Sequence, residues 1–327
     1  MSQSLATRPR IRLGEHVRLL NAIGFLLVML AVFAAQRPDI FLSWRIYYSV
    51  FSVLPISIIL VVPLVFIVVA GEIDLSFPSI FGLAALAFTE VIVAGFSPWL
   101  GGLAAVTVGA GTGWVNGFLV TRVGLSSLVA TLGMNFAVRG IVLIIAQGNS
   151  ISLAALRGSA FRNLLVGAPG ELPTQMLWGL GFGLLGWLLF AHHRFGAHIR
   201  AVGDNALAAR EMGIDVRAVR TAGFVYMGAA SGVAASLSTT INLNFFPTAG
   251  DGYLLPVLAA LFVGGTPTWG GVGTVLGAVF GATTVGFIES GIIAVGLSGF
   301  YTQFVYGLVV IASLIGHRLA RGPRRAG

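Results

Sequence analysis

Long apolar runs separated by short polar stretches fill almost the whole chain. Most runs hold close to twenty residues, which is enough for a helix to cross a hydrocarbon core about 30 Å thick. Helices are expected because lipid offers no water to satisfy the open edge of a strand. The pattern predicts an all-α polytopic membrane protein with about ten transmembrane helices. The runs cover residues 19–36, 47–70, 78–95, 99–121, 126–146, 173–191, 219–241, 253–265, 271–289 and 299–316.

The eighth run is too short to cross the bilayer comfortably, so we predict a broken or tilted segment at 253–265. Runs two to five and seven to ten are candidates for two related halves, inverted relative to each other. Glycine-rich stretches at 109–113 and 270–273 are the sequence support for this repeat. Packing of glycine-rich helices explains these stretches equally well.

The arginines are distributed unevenly over the segments between the runs. With a cytoplasmic N-terminus and ten crossings, the cytoplasmic side holds fourteen arginines and the outside holds four, while Arg139 lies inside a run. This bias predicts that both termini are cytoplasmic. We predict a single transmembrane domain over 1–327, with cytoplasmic segments at 1–18, 192–218 and 317–327. The fourteen are Arg8, Arg10, Arg12, Arg18, Arg122, Arg194, Arg200, Arg210, Arg217, Arg220, Arg318, Arg321, Arg324 and Arg325, and the four are Arg37, Arg45, Arg157 and Arg162.

The composition of the chain excludes several classes of protein and several kinds of site. Hydrophobic residues make up 57% of the chain and charged residues 9%, far below the charged share of about 25% in soluble domains. All basic residues apart from histidine are arginine, so the lysine of a phosphate-binding P-loop is absent. The chain also has no cysteine, which excludes disulfides and thiolate chemistry. We attribute the net charge of +8 to cytoplasmic flanks rather than to nucleic-acid binding.

Two carboxylates lie between the second and third runs, in the segment Gly71-Glu72-Ile73-Asp74-Leu75-Ser76. Asp74 or Ser76 is a candidate cap for the following helix, with Pro78 tolerated in its first turn. Carboxylates at the boundary of a span are costly unless they are solvated or paired. We therefore consider a gating or docking role for Glu72 and Asp74 alongside the capping role.

Arg139 lies near the middle of the fifth run, where an unpaired charge is costly. We predict a buried partner or water, with Glu90 and Glu289 as candidate partners, and a structural ion pair or a hydrogen bond to helix-end carbonyls as the alternative to a transport role. Asn116, Asn135 and Gln303 are candidates to line a polar pathway. No group of acids, bases or histidines has the spacing of a catalytic or metal site, so the sequence predicts no enzyme, no cofactor and no metal.

Several motifs resemble one known family. The segment 71–76 is similar to the Gly-Gly-Ile-Asp-Leu-Ser signature of the ribose-type sugar permeases of ATP-binding-cassette importers, and further similarities follow in family order from about residue 50 to 315. These are Asn116-Gly117-Phe118-Leu119-Val120-Thr121, Ala130-Thr131-Leu132-Gly133, Arg139-Gly140-Ile141, Gly203-Asp204-Asn205, Gly213-Ile214-Asp215-Val216, Val263-Gly264-Gly265-Thr266 and Gly270-Gly271-Val272-Gly273.

The resemblance implies a permease subunit in a bacterial inner membrane. Its expected partners are a second permease subunit, a cytoplasmic ATPase that binds the ATP, an external solute-binding protein and a sugar-like substrate. The segment 203–216 resembles the family's coupling helix, which docks on the ATPase. The residues implied in coupling are Gly203, Asp204, Asn205, Ala208, Ala209, Gly213 and Ile214.

The chain departs from the family pattern at several positions, which puts ribose itself in doubt as the substrate. Glu72 stands where a second glycine is usual, and Ser127-Leu128 replaces a common Pro-Phe pair. A polyol, a nucleoside or a signalling sugar are alternative substrates. A secondary transporter, which would need coupling-ion sites within the membrane, is the alternative from another class.

Overall fold

A computed structural model of the chain describes residues 10–168 and 172–320. Within this part almost all regular structure is helical, as predicted. Short connections include a π-helical turn at Leu119–Val123 that extends α5 and a two-stranded sheet that the sequence did not predict. The elements are α1 Arg10–Gln36, α2 Pro38–Phe41, α3 Trp44–Val69, α4 Phe77–Val93, α5 Pro98–Phe118, α6 Ser127–Ala146, β1 Ile151–Ser152, α7 Ala160–Leu165, α8 Thr174–Ala191, α9 Arg194–Asp204, α10 Ala206–Glu211, α11 Val216–Asn242, β2 Asn244–Phe245, α12 Leu254–Val263, α13 Val275–Ala294 and α14 Phe300–Ala320.

Each predicted apolar run corresponds to one long or short helix. Eight helices in the described part are long and apolar enough to span a membrane, and α4 and α12 are shorter. The ten residues of α12, about 15 Å of helix, confirm the prediction of a segment too short to cross alone. The cytoplasmic N-terminal tail over 1–18 stays a prediction: α1 already begins at Arg10, and its candidate membrane span begins at Arg18. Residues 1–9 and 321–327 of the predicted tails lie outside the described residues.

Contacts between connecting segments define the two ends of the helix bundle. At the end that we call the arginine-rich end, the backbone N–H of Gly271 donates to the carbonyl of Val69 at 2.8 Å, and Arg220 pairs with Glu72. At the opposite end, β1 pairs antiparallel with β2, which joins the segment after α6 to the segment after α11. The segment before α12 therefore lies at one end and the segment after it at the other. Within the residues that the structure describes, the chain passes between the two ends ten times, through α1, α3, α4, α5, α6, α8, α11, α12 with the segment after it, α13 and α14.

The interior of the bundle is formed mainly by α3 and α11. In their most apolar stretches of 18 residues, 83% and 72% of the residues are buried. The helices α1 and α14 lie at the periphery, because only 11% of the corresponding residues are buried in each. Glycines allow α5 to cross α11 in backbone contact: a Cβ on Gly109 would lie 2.2 Å from the carbonyl oxygen of Gly228. Close helix approach through small residues is the usual packing mode in membranes.

The two candidate halves share an order of elements. A 26-residue helix, α3, is followed by the non-helical segment 70–76 and the shorter α4, while the 27-residue α11 is followed by 243–253 and the short α12. The two connecting segments lie at opposite ends of the bundle. This order is the one that an inverted repeat requires, and the repeat itself stays a prediction.

Candidate functional site

A row of polar side chains runs along one face of α6, because the sequence has a polar residue at every fourth position there. Ser127, Thr131, Asn135 and Arg139 form this row, which we call the polar ladder. Residues four apart lie above one another on a helix, so the ladder presents one continuous stripe. The stripe contacts the segment that leads from α3 into α4.

The N-terminal part of the polar ladder, Ser127 and Thr131, binds the backbone that precedes α4. The hydroxyl of Ser127 accepts the N–H of Ile73 at 3.1 Å, and that of Thr131 accepts the N–H of Leu75 at 3.1 Å. One turn further along α6, the amide oxygen of Asn135 accepts a hydrogen bond from the hydroxyl of Ser79 at 2.6 Å. A non-helical backbone inside a membrane protein needs such partners, because lipid cannot supply them.

Asp74 is fully buried at the start of α4 and has no cationic partner among the described residues. One carboxylate oxygen accepts the backbone N–H of Ser76 at 2.7 Å and its hydroxyl at 2.6 Å. The amide of Asn116 donates to the same hydroxyl at 2.7 Å. Ser76 lies at the N-cap position but makes no side-chain cap, and Pro78 lies in the first turn as predicted. The other oxygen of Asp74 and the amide oxygen of Asn116 are buried without a hydrogen-bond partner.

Arg139 is the last residue of the polar ladder along α6. Its guanidinium donates to the carbonyls of Pro247 at 2.6 Å and Ala249 at 3.1 Å, and it forms an ion pair with Asp251. A weaker bond of 3.4 Å reaches the carbonyl of Pro78. The side chain of Arg139 is 13% exposed, so its bonds to the carbonyls form in a largely dry environment, whereas Asp251 is 54% exposed and its side of the ion pair is open to solvent. Arg139 thus joins α6 and α4 to the segment that precedes α12.

The predicted partners of Arg139 were wrong, although the prediction of a partner is confirmed. Glu90 is exposed near the end of α4, and Glu289 is exposed on α13, where it accepts a hydrogen bond from Tyr306 at 3.3 Å. The actual partner, Asp251, follows the sheet strand β2. The loop that carries it folds back onto α6, and nothing in the local sequence indicates that contact.

Glu72 links the polar ladder region to the longest predicted cytoplasmic segment. Its carboxylate lies 2.8 Å from the guanidinium of Arg220 on α11, and the two side chains are 11% and 28% exposed. A cavity of about 230 Å³ lies beside it, lined by Val68, Gly71, Glu72, Ile73, Ser127 and Thr268. Arg220 lies in the first turns of α11, directly after the predicted coupling segment.

The predicted coupling segment 203–216 contains the end of α9, the whole of the short helix α10 and the first residue of α11. Helix α9 ends at Asp204, and Asn205 then caps α10 by accepting the N–H groups of Leu207 at 3.0 Å and Ala208 at 3.1 Å. Gly213 has a φ of 80°, which favours glycine, at the turn into α11. Asp215 caps α11 through the N–H of Ala218 at 3.0 Å.

The structure divides the seven predicted coupling residues into two groups. Ala209 is fully buried within the chain, Ile214 packs against the core, and a Cβ on Gly203 would lie 1.7 Å from the carbonyl oxygen of Val69. These positions fix the segment on the bundle. The exposed positions are Asp204, Asn205, Ala208 and Gly213. Two exposed apolar side chains that sequence analysis left out of the coupling set lie beside them, Leu207 at 75% and Met212 at 66% exposure.

The structure does not bring every predicted pathway residue to the polar ladder. Asn135 belongs to it, and Glu72, Asp74 and Asn116 lie beside it, but Gln303 is exposed on α14 at the periphery. Sequence reasoning missed the roles of Ser127 and Thr131, although their spacing from Asn135 and Arg139 was a usable signal. The described residues contain no group of three or more histidines and acids that could hold a metal.

Comparison with known proteins gives consistent matches over most of the chain. A family model described as "Branched-chain amino acid transport system / permease component" matches residues 46–314. The D-allose transport system permease protein of Escherichia coli (strain K12) is 29% identical over 295 residues, which cover 90% of each chain. The ribose import permease protein of the same strain is 27% identical over 292 residues, 89% of this chain and 90% of that protein. The autoinducer 2 import system permease protein of Yersinia enterocolitica is 30% identical over 306 residues, 89% and 80% of the two chains.

Proposed function

Because the chain belongs to this family of transport-system permease components, we propose that it is the membrane-spanning subunit of an ATP-driven, binding-protein-dependent importer for a monosaccharide or a similar small polar solute. The observation that carries the proposal is similarity along almost the full length to permeases named for D-allose and ribose import. The relative named for autoinducer 2 import keeps a signalling sugar open as the substrate, beside a polyol or a nucleoside.

The subunit is a permease and not the ATPase of the importer. We propose that a cytoplasmic partner binds and hydrolyses ATP, because this chain has no lysine from which to build a P-loop. An external solute-binding protein is the second proposed partner, and a second permease copy or a related permease completes the pathway. The whole chain, 1–327, is proposed to form one membrane domain in the inner membrane.

The proposed function is tested by reconstituting the permease with its ATPase and solute-binding protein in vesicles. Uptake of the solute that the binding protein recognises should require all three proteins and ATP. Uptake driven by an ion gradient without the ATPase would overturn the proposal in favour of a secondary transporter. Sugars, polyols and nucleosides offered to the binding protein would identify the substrate class.

The arginine-rich end is proposed to face the cytoplasm, because it holds most of the arginines. The absence of cysteine allows a direct test with single cysteines at two exposed alanines, Ala208 on α10 and Ala155 in the segment after β1. An impermeant thiol reagent added outside intact cells should label Ala155→Cys and spare Ala208→Cys until the membrane is permeabilised. The reverse labelling would contradict this orientation.

We propose that the polar ladder and the segment 71–79 form the gate region of the pathway. The supporting observation is that the buried polar groups of α4, α5 and α6 meet there, beside a cavity at the arginine-rich end. The ion pair between Glu72 and Arg220 joins this region to the helix that follows the coupling segment. Closure of the ATPase would then act on the gate through α10 and the start of α11. Gln303, exposed on α14, lies outside this region.

The ion pair between Glu72 and Arg220 should matter for transport. Removing one charge from a partly buried pair costs roughly 1 kcal/mol, so Glu72→Gln or Arg220→Gln is expected to lower uptake about fivefold. The charge swap Glu72→Arg with Arg220→Glu should restore part of the loss, since it reinstates the attraction. Uptake per assembled complex is the measurement, and Arg157→Gln, an exposed arginine at the opposite end, is the control. A swap no better than either single variant would contradict a role for the pair.

A further inference from the structure

A groove of about 710 Å³ lies between α5 and α11 at the arginine-rich end, apart from the polar ladder. Its walls are apolar and aromatic along most of their length, with Trp114 and Phe118 on one side and Val225 and Tyr226 on the other. At one end the lining changes to the charged residues Arg122, Asp215 and Arg217. The proposed gate region does not include this groove, and Asp215 is the one residue of the coupling segment 203–216 that lines it.

The aromatic side of the groove is open to its surroundings. The rings of Trp114 and Phe118 stack at 5.7 Å, and the two side chains remain 54% and 43% exposed. From Trp114 to Arg122 the helix rises about 12 Å, which matches part of an acyl chain below its headgroup. An exposed apolar wall that ends in cations is the surface expected where hydrocarbon meets the headgroup layer.

The cations at the end of the groove are available to a ligand. Arg122 and Arg217 are exposed, and among the described residues neither makes a hydrogen bond or an ion pair. The nearby carboxylate of Asp215 is engaged in capping α11. Two guanidinium groups facing one cavity favour a phosphate, which arginine binds with paired N–H donors.

We propose that this groove binds one anionic phospholipid, with its phosphate between Arg122 and Arg217 and an acyl chain along Trp114, Phe118 and Val225. Basic pockets between transmembrane helices at the membrane surface recognise anionic headgroups in this way. Pairing with a second copy through the same groove is disfavoured, since a two-fold interface would bring both pairs of arginines onto one shared surface. The inference is independent of the solute that the importer carries.

Quenching of Trp114 fluorescence by brominated lipids tests the site. The assembled importer is placed in phosphatidylcholine bilayers that contain equal small amounts of chain-brominated phosphatidylglycerol or chain-brominated phosphatidylcholine. The Trp114 signal is the difference between wild type and Trp114→Phe. We expect phosphatidylglycerol to quench that signal at least about threefold more than phosphatidylcholine does, and the preference to vanish in the double variant Arg122→Gln, Arg217→Gln.

The matched control is Arg45→Gln with Arg157→Gln, two exposed arginines at the opposite end, which should keep the preference. Native mass spectrometry gives a second readout: wild type should retain one more phosphatidylglycerol per permease chain than the double groove variant. Equal quenching by both lipids in wild type would overturn the headgroup site. Absence of quenching by either lipid would mean that protein covers the groove, which also overturns the proposal.

Discussion

Replacing Arg139 with leucine is expected to lower solute uptake by at least about tenfold. The substitution leaves the carbonyls of Pro247 and Ala249 without their donor and removes the ion pair with Asp251, whose side chain is 54% exposed. Leaving a buried acceptor without its donor costs roughly 1–3 kcal/mol, and about 1.4 kcal/mol already corresponds to a factor of ten. Uptake by reconstituted importer, together with the amount of permease in the membrane, is the measurement.

Two companion variants separate the charge from its geometry. Arg139→Lys keeps the charge but cannot reach several acceptors at once, so its uptake should lie between those of wild type and Arg139→Leu. Arg157→Leu removes an exposed arginine and should transport like wild type. If Arg139→Leu and Arg157→Leu were equally active, the bonds that Arg139 makes would have no part in assembly or transport.

Placing charges on the exposed face of α10 is expected to weaken ATPase binding by about 100-fold. Leu207 and Met212 are 75% and 66% exposed in the isolated subunit, and burying an apolar side chain contributes roughly 1.5–3 kcal/mol. The double variant Leu207→Glu, Met212→Glu should therefore lose binding, and with it uptake, while the permease still inserts. Titration of the ATPase onto permease in nanodiscs measures the change.

The control for this experiment carries the same new charge elsewhere. The double variant Ala154→Glu, Ala155→Glu places two carboxylates on exposed residues at the opposite end and should leave ATPase binding unchanged. Ala209 and Gly203 are unsuitable positions for a bulky probe, because their substitution would disturb the chain's own packing. Wild-type binding by the double glutamate variant would mean that the ATPase docks on another surface.

The positions of the helices could be predicted from sequence because each apolar run must satisfy its own backbone in lipid. The short eighth run was also predictable from its length, since 253–265 cannot reach across the bilayer. The start of α1 was not, because the residues from Arg10 onward are too polar to be recognised by hydropathy and yet continue the helix. Hydropathy marks the membrane, whereas helices extend beyond it.

The contacts of the candidate site were only partly predictable. Asp74, Asn116, Asn135 and Arg139 could be selected because polar groups in spans are costly, and the structure brings them together along α4 and α6. Their partners come from distant segments, as with Asp251 for Arg139 and Arg220 for Glu72. Only the folded chain brings these charges within reach of each other.

In the coupling segment, too, the sequence did not predict which single residues make contacts. The resemblance to known permeases indicated the segment but gave no means of deciding which side chains face the bundle. In a helix of six residues with alanines on several sides, hydrophobicity does not distinguish the packed face from the free one. Exposure of Leu207 and burial of Ala209 became evident only from the structure.

The contact of Gly203 with Val69 does not involve the exposed face of α10, so the junction and that face can change independently. This junction is made by backbone atoms, and Gly271 completes it with a hydrogen bond to the same carbonyl. Substitutions on the free face of α10 leave it intact. Under the proposed coupling role, changes at Leu207, Ala208 and Met212 would alter the choice of ATPase and leave this backbone connection into the membrane unchanged.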